Sequence, residues 1–168
     1  MKCLCFSDSH GSVQGMKKAL SLHRDAEVVF FLGDGLSDIE SLVSHDRERT
    51  WIYVRGNCDF SYSTLPSDAR RIESVTLSGY KIVLTHGDLC NVKYGDEGIL
   101  RLAEANDADL ILFGHTHIPR EDFVRLPQGK GIYLFNPGSI GRDYPAPQSY
   151  GIITLTESGI LLSHGMLT

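Results

Sequence analysis

The feature that most constrains this chain is a recurrence: short, largely apolar runs end abruptly in turns that carry Asp, Asn or His beside Gly. Five such turns occur, Asp8-Ser9-His10, Gly33-Asp34, Gly56-Asn57-Cys58-Asp59, Thr85-His86-Gly87-Asp88 and Gly114-His115-Thr116-His117. The runs before them, Lys2 to Ser7, Glu27 to Leu32, Thr50 to Val54, Tyr80 to Thr85 and Asp109 to Phe113, have strand-like lengths. Their near-continuous hydrophobicity predicts strands buried on both faces. Where strands align in a sheet, their carboxyl ends gather at one edge, so residues distant in sequence can meet in one cleft.

The intervening segments complete a fold. Val13 to His23, Leu36 to Val43 and Glu97 to Ala105 carry apolar residues at helical spacing. The early strand, helix, strand alternation is the crossover of a parallel sheet. Later, Arg71 to Leu77 and Tyr80 to Thr85 flank Ser78-Gly79 as a hairpin. Phe123 to Leu126 with Gly131 to Phe135, and Tyr150 to Thr156 with Gly159 to His164, predict two more. An α/β chain of this mixed kind is best satisfied by a four-layer α/β/β/α sandwich, two mixed β-sheets packed face to face with helices outside. With 168 residues, 42% of them hydrophobic, the chain can bury a full core. It is expected to form a single domain over residues 1–168, with no linker or repeat.

Charge and composition remove several classes of function. The 16 Lys and Arg against 21 Asp and Glu give a net charge of -5, which disfavours stoichiometric nucleic acid, since no broad cationic surface is available for phosphate contacts. No signal-like or membrane-length apolar stretch is present, which predicts a cytoplasmic protein with no membrane partner. The four cysteines form no CxxC pair, so a thiolate zinc site is not expected, and most of them read as small buried apolar groups.

The five turns supply Asp8, Asp34, Asn57 and four of the seven histidines, His10, His86, His115 and His117. Carboxylate, amide and imidazole donors in this number exceed one tetrahedral site but suit two adjacent ions. Two ions about 3.5 to 4 Å apart can clamp a phosphate oxygen, lower the pKa of a bridging water towards about 7, and stabilise an in-line displacement. Gly33, Gly56, Gly87 and Gly114 sit beside these donors, where a backbone without Cβ can approach closely. His23, His45 and His164 lie outside the motifs and read as surface or hydrogen-bonded residues. Asp8 and Asp34 each precede a helical segment and have the position of N-caps, but their company of four histidines favours ligation. Asp38 reads as an exposed helix residue, and Tyr144 and Tyr150 as packing residues. Asn136-Pro137-Gly138-Ser139 is either a rigid turn or a cleft wall that would bring Arg142 towards a phosphate.

The ordered set Asp8-x-His10, Gly33-Asp34, Gly56-Asn57-x-Asp59, His86-Gly87 and Gly114-His115-x-His117 resembles the calcineurin-like metallophosphoesterase family over most of the chain. The short length, Cys58, Asn136 to Ser139 and Gly141-Arg142 make it similar to the small single-domain phosphodiesterase branch, a group also similar to Vps29. The resemblance implies a metal-dependent phosphodiesterase that acts on a small phosphodiester, with a metal-bridging hydroxide as nucleophile. It implies two divalent metal ions, manganese foremost and otherwise iron, zinc or nickel. Asp8, His10 and His117 would hold one ion, Asn57, His86 and His115 the other, and Asp34 would bridge them. The implied catalytic group is Asp34, Asn57 and His86, with Cys58 and with Asp59 behind the ligands or forming an Asx turn.

Two departures from the family pattern shape the expected activity. Phosphomonoesterases of this family carry His where this chain has Cys58, and a neutral thiol is a poor general acid. Weak activity on monoesters with poor leaving groups and better activity on diesters or activated substrates follow. Asp88 stands where relatives often have His, and is expected to accept a hydrogen bond from a ligand imidazole. The same resemblance carries an alternative, a catalytically weak Vps29-like scaffold or protein-interaction module. Exposed hairpin edges would also admit a homodimer.

Overall fold

The computed structural model describes residues 1–59 and 69–167. Its first half runs β1 (Lys2–Phe6), α1 (Gln14–Leu22), β2 (Val28–Phe31), α2 (Leu36–His45) and β3 (Thr50–Tyr53). Next come β4 (Ile72–Leu77), β5 (Tyr80–Thr85), a 3-10 turn at Asp88–Cys90, α3 (Glu97–Ala105) and β6 (Leu110–Leu112). The chain closes with β7 (Pro119–Arg125), β8 (Gly131–Pro137), β9 (Ser149–Thr156) and β10 (Gly159–Met166).

Two five-stranded sheets result, ordered β10-β9-β1-β2-β3 and β4-β5-β6-β8-β7. In the first, β1, β2 and β3 are parallel and β9 and β10 antiparallel. In the second, β5, β6 and β8 are parallel, with β4 and β7 antiparallel at the edges. Strand alternation decides which residues face which layer. Cys3, Cys5 and Phe30 pack against Ile82, Leu84, Leu110, Leu112 and Phe135 between the sheets. Leu4, Phe6, Val29 and Phe31 point the other way, onto Met16 and Ala19 of α1 and Leu36 and Ile39 of α2. Val83, Ile111 and Leu134 meet Ile99 and Ala103 of α3 on the opposite outer face. The layers are therefore the expected α/β/β/α sandwich.

Three local features depart from the sequence expectation. Strand β7 begins at Pro119, four residues before the predicted start, because its first half is the charged Pro119-Arg120-Glu121-Asp122. Charges on an edge strand discourage edge-to-edge pairing but hide the apolar alternation on which prediction relies. Asp38, expected on an exposed helix face, is half-buried and accepts hydrogen bonds from Ser9 Oγ at 2.6 Å and the Gly11 N–H at 2.7 Å. It ties α2 to the loop after β1.

Asp59, expected behind the ligands or in an Asx turn, also caps a neighbouring helix. One carboxylate oxygen accepts from the N–H groups of Gly35 and Leu36 at 2.8 and 2.9 Å, and the other from those of Asp34 and Gly56, both at 2.8 Å. Helix α2 starts at Gly35 with no side-chain cap of its own, so Asp59 supplies the anionic cap from a neighbouring loop. With both oxygens engaged by backbone donors, it holds the turns after β2 and β3 together. Asp59→Ala should lower the unfolding free energy by about 2–4 kcal/mol in urea titration, because four charge-assisted bonds are lost together. Asp59→Asn should fall between this variant and the parent. A loss below about 0.5 kcal/mol for the alanine variant would contradict the clamp.

Candidate metal centre

The parallel strands β1, β2 and β3 of one sheet and β5 and β6 of the other end at the same edge, and their five following turns meet there. Backbone bonds stitch the turns in pairs: Asp8 N–H to Gly33 O at 3.0 Å, His10 N–H to Asp34 O at 3.2 Å, and Gly114 N–H to His86 O at 2.9 Å. Two glycines permit the closest approaches. A Cβ at Gly114 would collide with Ser7 Oγ of the other sheet, and one at Gly56 with the Asp34 carboxylate.

The backbone itself is unusual at the donors. Asp8, His10, Asp34, His115 and His117 all have positive φ, between 44° and 67°. Left-handed backbone is uncommon outside glycine, though Asp, Asn and His tolerate it best. Its concentration at these residues means that the surrounding packing enforces it, as at sites where geometry matters more than local stability.

Two donor groups form, Asp8 with His10 and His117, and Asp34 with His86 and His115, each with ligand atoms within 4.8 Å of one another. In the first, the Nε2 atoms of His10 and His117 are 3.1 Å apart and lie 3.8 and 3.2 Å from Asp8 Oδ1. In the second, His86 Nε2 is 3.3 Å from Asp34 Oδ2 and 3.2 Å from His115 Nδ1. Asn57 Oδ1 lies 3.1 Å from His86 Nε2 and so joins the second group. The groups adjoin, since His86 Nε2 is also 4.0 Å from Asp8 Oδ1.

A divalent cation fits this arrangement. Asp8 is fully buried, and its Oδ2 accepts from Ser7 Oγ at 2.6 Å and the His115 N–H at 3.1 Å. Its Oδ1, facing three imidazoles, has no hydrogen-bond partner. A buried carboxylate oxygen without a donor is costly, and a cation would remove that cost. His86 Nδ1 donates to the Leu32 carbonyl at 2.8 Å, which fixes the tautomer and leaves Nε2 with its lone pair free to ligate.

The proton affinities of the donors differ. Burial lowers the proton affinity of His10 against the pull of Asp8, and His117 lowers it further. Burial, then His86 and Lys93, lower that of His115. Burial acts in the same direction on His86, but its hydrogen bond to Asp34 and the charges of Asp8 and Asp34 outweigh it and raise its pKa. Burial works against ionisation of Asp34, yet the His86 bond and charge and the Cys58 N–H at 2.7 Å hold its carboxyl well below the usual range. Cys58 is pushed up to about 11 by burial and by its bond to Asp34, so its thiol stays protonated. Asn57 Nδ2 donates to Cys58 Sγ at 3.2 Å.

The remaining expectations sort plainly. Asp88 pairs with Arg71 and not with a ligand imidazole; a basic residue 17 positions upstream carried no sequence signal of that pairing. Asn136 to Ser139 is a bracing turn. Asn136 Nδ2 donates to Gly114 O at 2.9 Å and Thr116 Oγ1 at 3.1 Å, and Ser139 Oγ donates to Asp8 O at 2.8 Å. Arg142 is exposed and near enough to His10 to oppose its protonation. His23, His45 and His164 are hydrogen-bonded to Tyr150, Ser41 and Asn136 respectively, as expected. Tyr150 packs against Phe6, but Tyr144 is 82% exposed and does not pack. Cys3, Cys5 and Cys90 are buried and Cys58 is exposed. Ser7, which orients Asp8, was not singled out by its sequence; its position before a ligand aspartate is the available signal. Among the described residues, no helix is long and apolar enough to cross a membrane.

The chain is similar to known proteins over most of its length. The model of the calcineurin-like phosphoesterase superfamily domain matches residues 1–158. The probable metallophosphoesterase YsnB of Bacillus subtilis is 33% identical over 92% of this chain and 85% of its own. The phosphodiesterase YfcE of Escherichia coli is 30% identical over 91% of this chain and 87% of its own. In fold, wild-type Vps29 of Entamoeba histolytica, solved in complex with zinc, superposes with a TM-score of 0.72 at 17% identity, covering 99% of each chain. With two facing mixed sheets and paired Asp and His clusters at their common edge, the chain belongs to the calcineurin-like phosphoesterase superfamily.

Proposed function

We propose that this protein, as one cytoplasmic domain over residues 1–168, is a phosphodiesterase that requires two divalent metal ions. The observation that carries the reading is the pair of adjoining donor groups around the unpartnered Asp8 Oδ1. Asp8, His10 and His117 would hold one ion and Asn57, His86 and His115 the other, with Asp34 shared between them. Ions at these positions would supply Lewis acidity and a water of pKa near about 7, the chemistry that phosphate-ester hydrolysis needs. The family and the name of the Escherichia coli relative support hydrolysis of a phosphate ester. Manganese is the proposed occupant, with iron, zinc and nickel compatible with the same donors.

The chain's own groups set the conditions for that chemistry. The His86 bond to Leu32 keeps one nitrogen ready as a ligand, and the Cys58 N–H helps keep Asp34 ionised. Arg142, on the His10 side, offers a cation to a phosphate oxygen. Cys58 favours diesters, because its protonated thiol is too weak an acid to assist departure of an alkoxide from a monoester dianion. A non-catalytic scaffold is the competing reading, supported by Cys58 and by the fold shared with Vps29.

Hydrolysis of bis(p-nitrophenyl) phosphate with manganese should be abolished by chelator and restored by the metal; chelator-insensitive or absent turnover in a loaded sample favours the scaffold. Asp34→Asn should cut turnover at least about a hundredfold and lower metal content while the circular dichroism stays native. Full loading with parental turnover would end the bridging assignment. Cys58→His should raise turnover of an alkyl monoester such as glycerol 3-phosphate relative to bis(p-nitrophenyl) phosphate by about tenfold or more.

Metal content should also depend on acidity. Imidazoles must lose their proton to ligate, and the pKa of His86 is raised while those of His10 and His115 are lowered, so the ions should be lost as pH falls through the histidine range. Emission spectrometry of gel-filtered protein between about pH 8 and 5, with folding followed by circular dichroism, should show that loss. Undiminished loading across that window in a folded sample contradicts imidazole ligation.

A further inference from the structure

A cavity of about 460 Å³ opens beside the donor loops, lined by Val92, Lys93, Thr116, Ile118, Pro119 and Arg120. Thr116 stands between His115 and His117 in the chain, so the cavity borders both donor groups. Val92, Ile118 and Pro119 give it an apolar wall, and Ile118 is 49% exposed at its mouth. Two cations line it, but they are not equally available. Arg120 donates to both carboxylate oxygens of Asp96, at 2.6 and 2.7 Å, pairs with Asp122, and lies over the Phe113 ring. Lys93 is exposed and has no hydrogen bond or ion pair among the described residues. Its charge nonetheless reaches His115. An apolar wall and a free ammonium, side by side and next to a phosphate-ester site, form a complementary surface for a ring that carries a second anion.

We propose that this cavity seats one arm of the phosphodiester, with a ring against Val92, Ile118 and Pro119 and a further phosphate on Lys93. The substrate class is thus a diester one arm of which carries an apolar ring and a second phosphate, and this rests on the phosphodiesterase reading above. The Thr116 hydroxyl oxygen already accepts from Asn136 Nδ2 and the Ile118 N–H, so the apolar wall and the Lys93 charge carry the recognition.

Two chromogenic substrates test the assignment with the manganese-loaded protein: the p-nitrophenyl ester of thymidine 5'-phosphate, and the same ester bearing a 3'-phosphate. In each, hydrolysis adds the oxygen of water to phosphorus and releases p-nitrophenolate. The 3'-phosphate should raise kcat/KM about tenfold, through KM, as one charge-assisted contact predicts. That ratio should fall below about twofold in Lys93→Gln and survive in Lys93→Arg. Ile118→Asp should raise KM for both esters. Equal kcat/KM for the two substrates, or a ratio that persists in Lys93→Gln, overturns the subsite.

Calorimetric binding of thymidine 3',5'-bisphosphate and of thymidine 5'-phosphate to the same proteins separates the two readings. Tighter, Lys93-dependent binding of the bisphosphate without turnover of either ester keeps the subsite and ends the phosphodiesterase assignment. Turnover without any Lys93-dependent preference does the reverse, and absence of both overturns both.

Discussion

The burial of the Asp8 carboxylate with only one oxygen satisfied is the constraint on which the rest of this structure depends. Strand β1 lies in the middle of its sheet and delivers Asp8 to the floor of the cleft, where Ser7 and the His115 N–H fix its orientation. The unpaired oxygen then faces imidazoles from three different loops. A polar group so placed would favour unfolding unless a positive partner completes it. The surrounding apparatus, from the close glycine contacts to the bracing by Asn136 and Ser139, keeps the loops where such a partner could be gripped.

Much of this arrangement was legible in the amino-acid order because it rests on contiguous signals. Four to six apolar residues followed by a Gly with Asp, Asn or His is a local pattern, and the topology of a parallel sheet carries such ends to one edge. The grouping of His10 with His117 and of His86 with His115 came from the family resemblance, and the side-chain distances agree with it. Pairings between sequence-distant polar groups carried no comparable signal. Nothing local announces that Asp88 will find Arg71, that Asp38 will hold the loop after β1, or that Asp59 will cap α2 from the side. An aspartate next to a ligand reads the same whether it contacts substrate or four backbone amides. The charged first half of β7 was missed for a different reason, since an edge strand that protects itself with charge erases the alternation that reveals it.

Cys58 illustrates how a single side chain can tune a shared scaffold. Its backbone N–H serves Asp34 whatever the side chain is, so the position is structurally permissive. Under the proposed function its side chain would decide whether a proton is available at the departing oxygen. The same turn would then remain intact while the preferred ester changed. Fold likeness to Vps29 and sequence likeness to YfcE thus report different properties of one framework.

The donors are divided along the chain: His10 and His117, 107 positions apart, meet tip to tip. Asp8, His10, Asp34 and Asn57 belong to the first sheet, and His86, His115 and His117 to the second. Ions bound between them would act as a clasp across the sandwich, assembled late because long loops must close first. Once bound, they would resist separation of the layers by mass action. Cellular metal supply would then govern how long the folded chain persists as well as how fast it works.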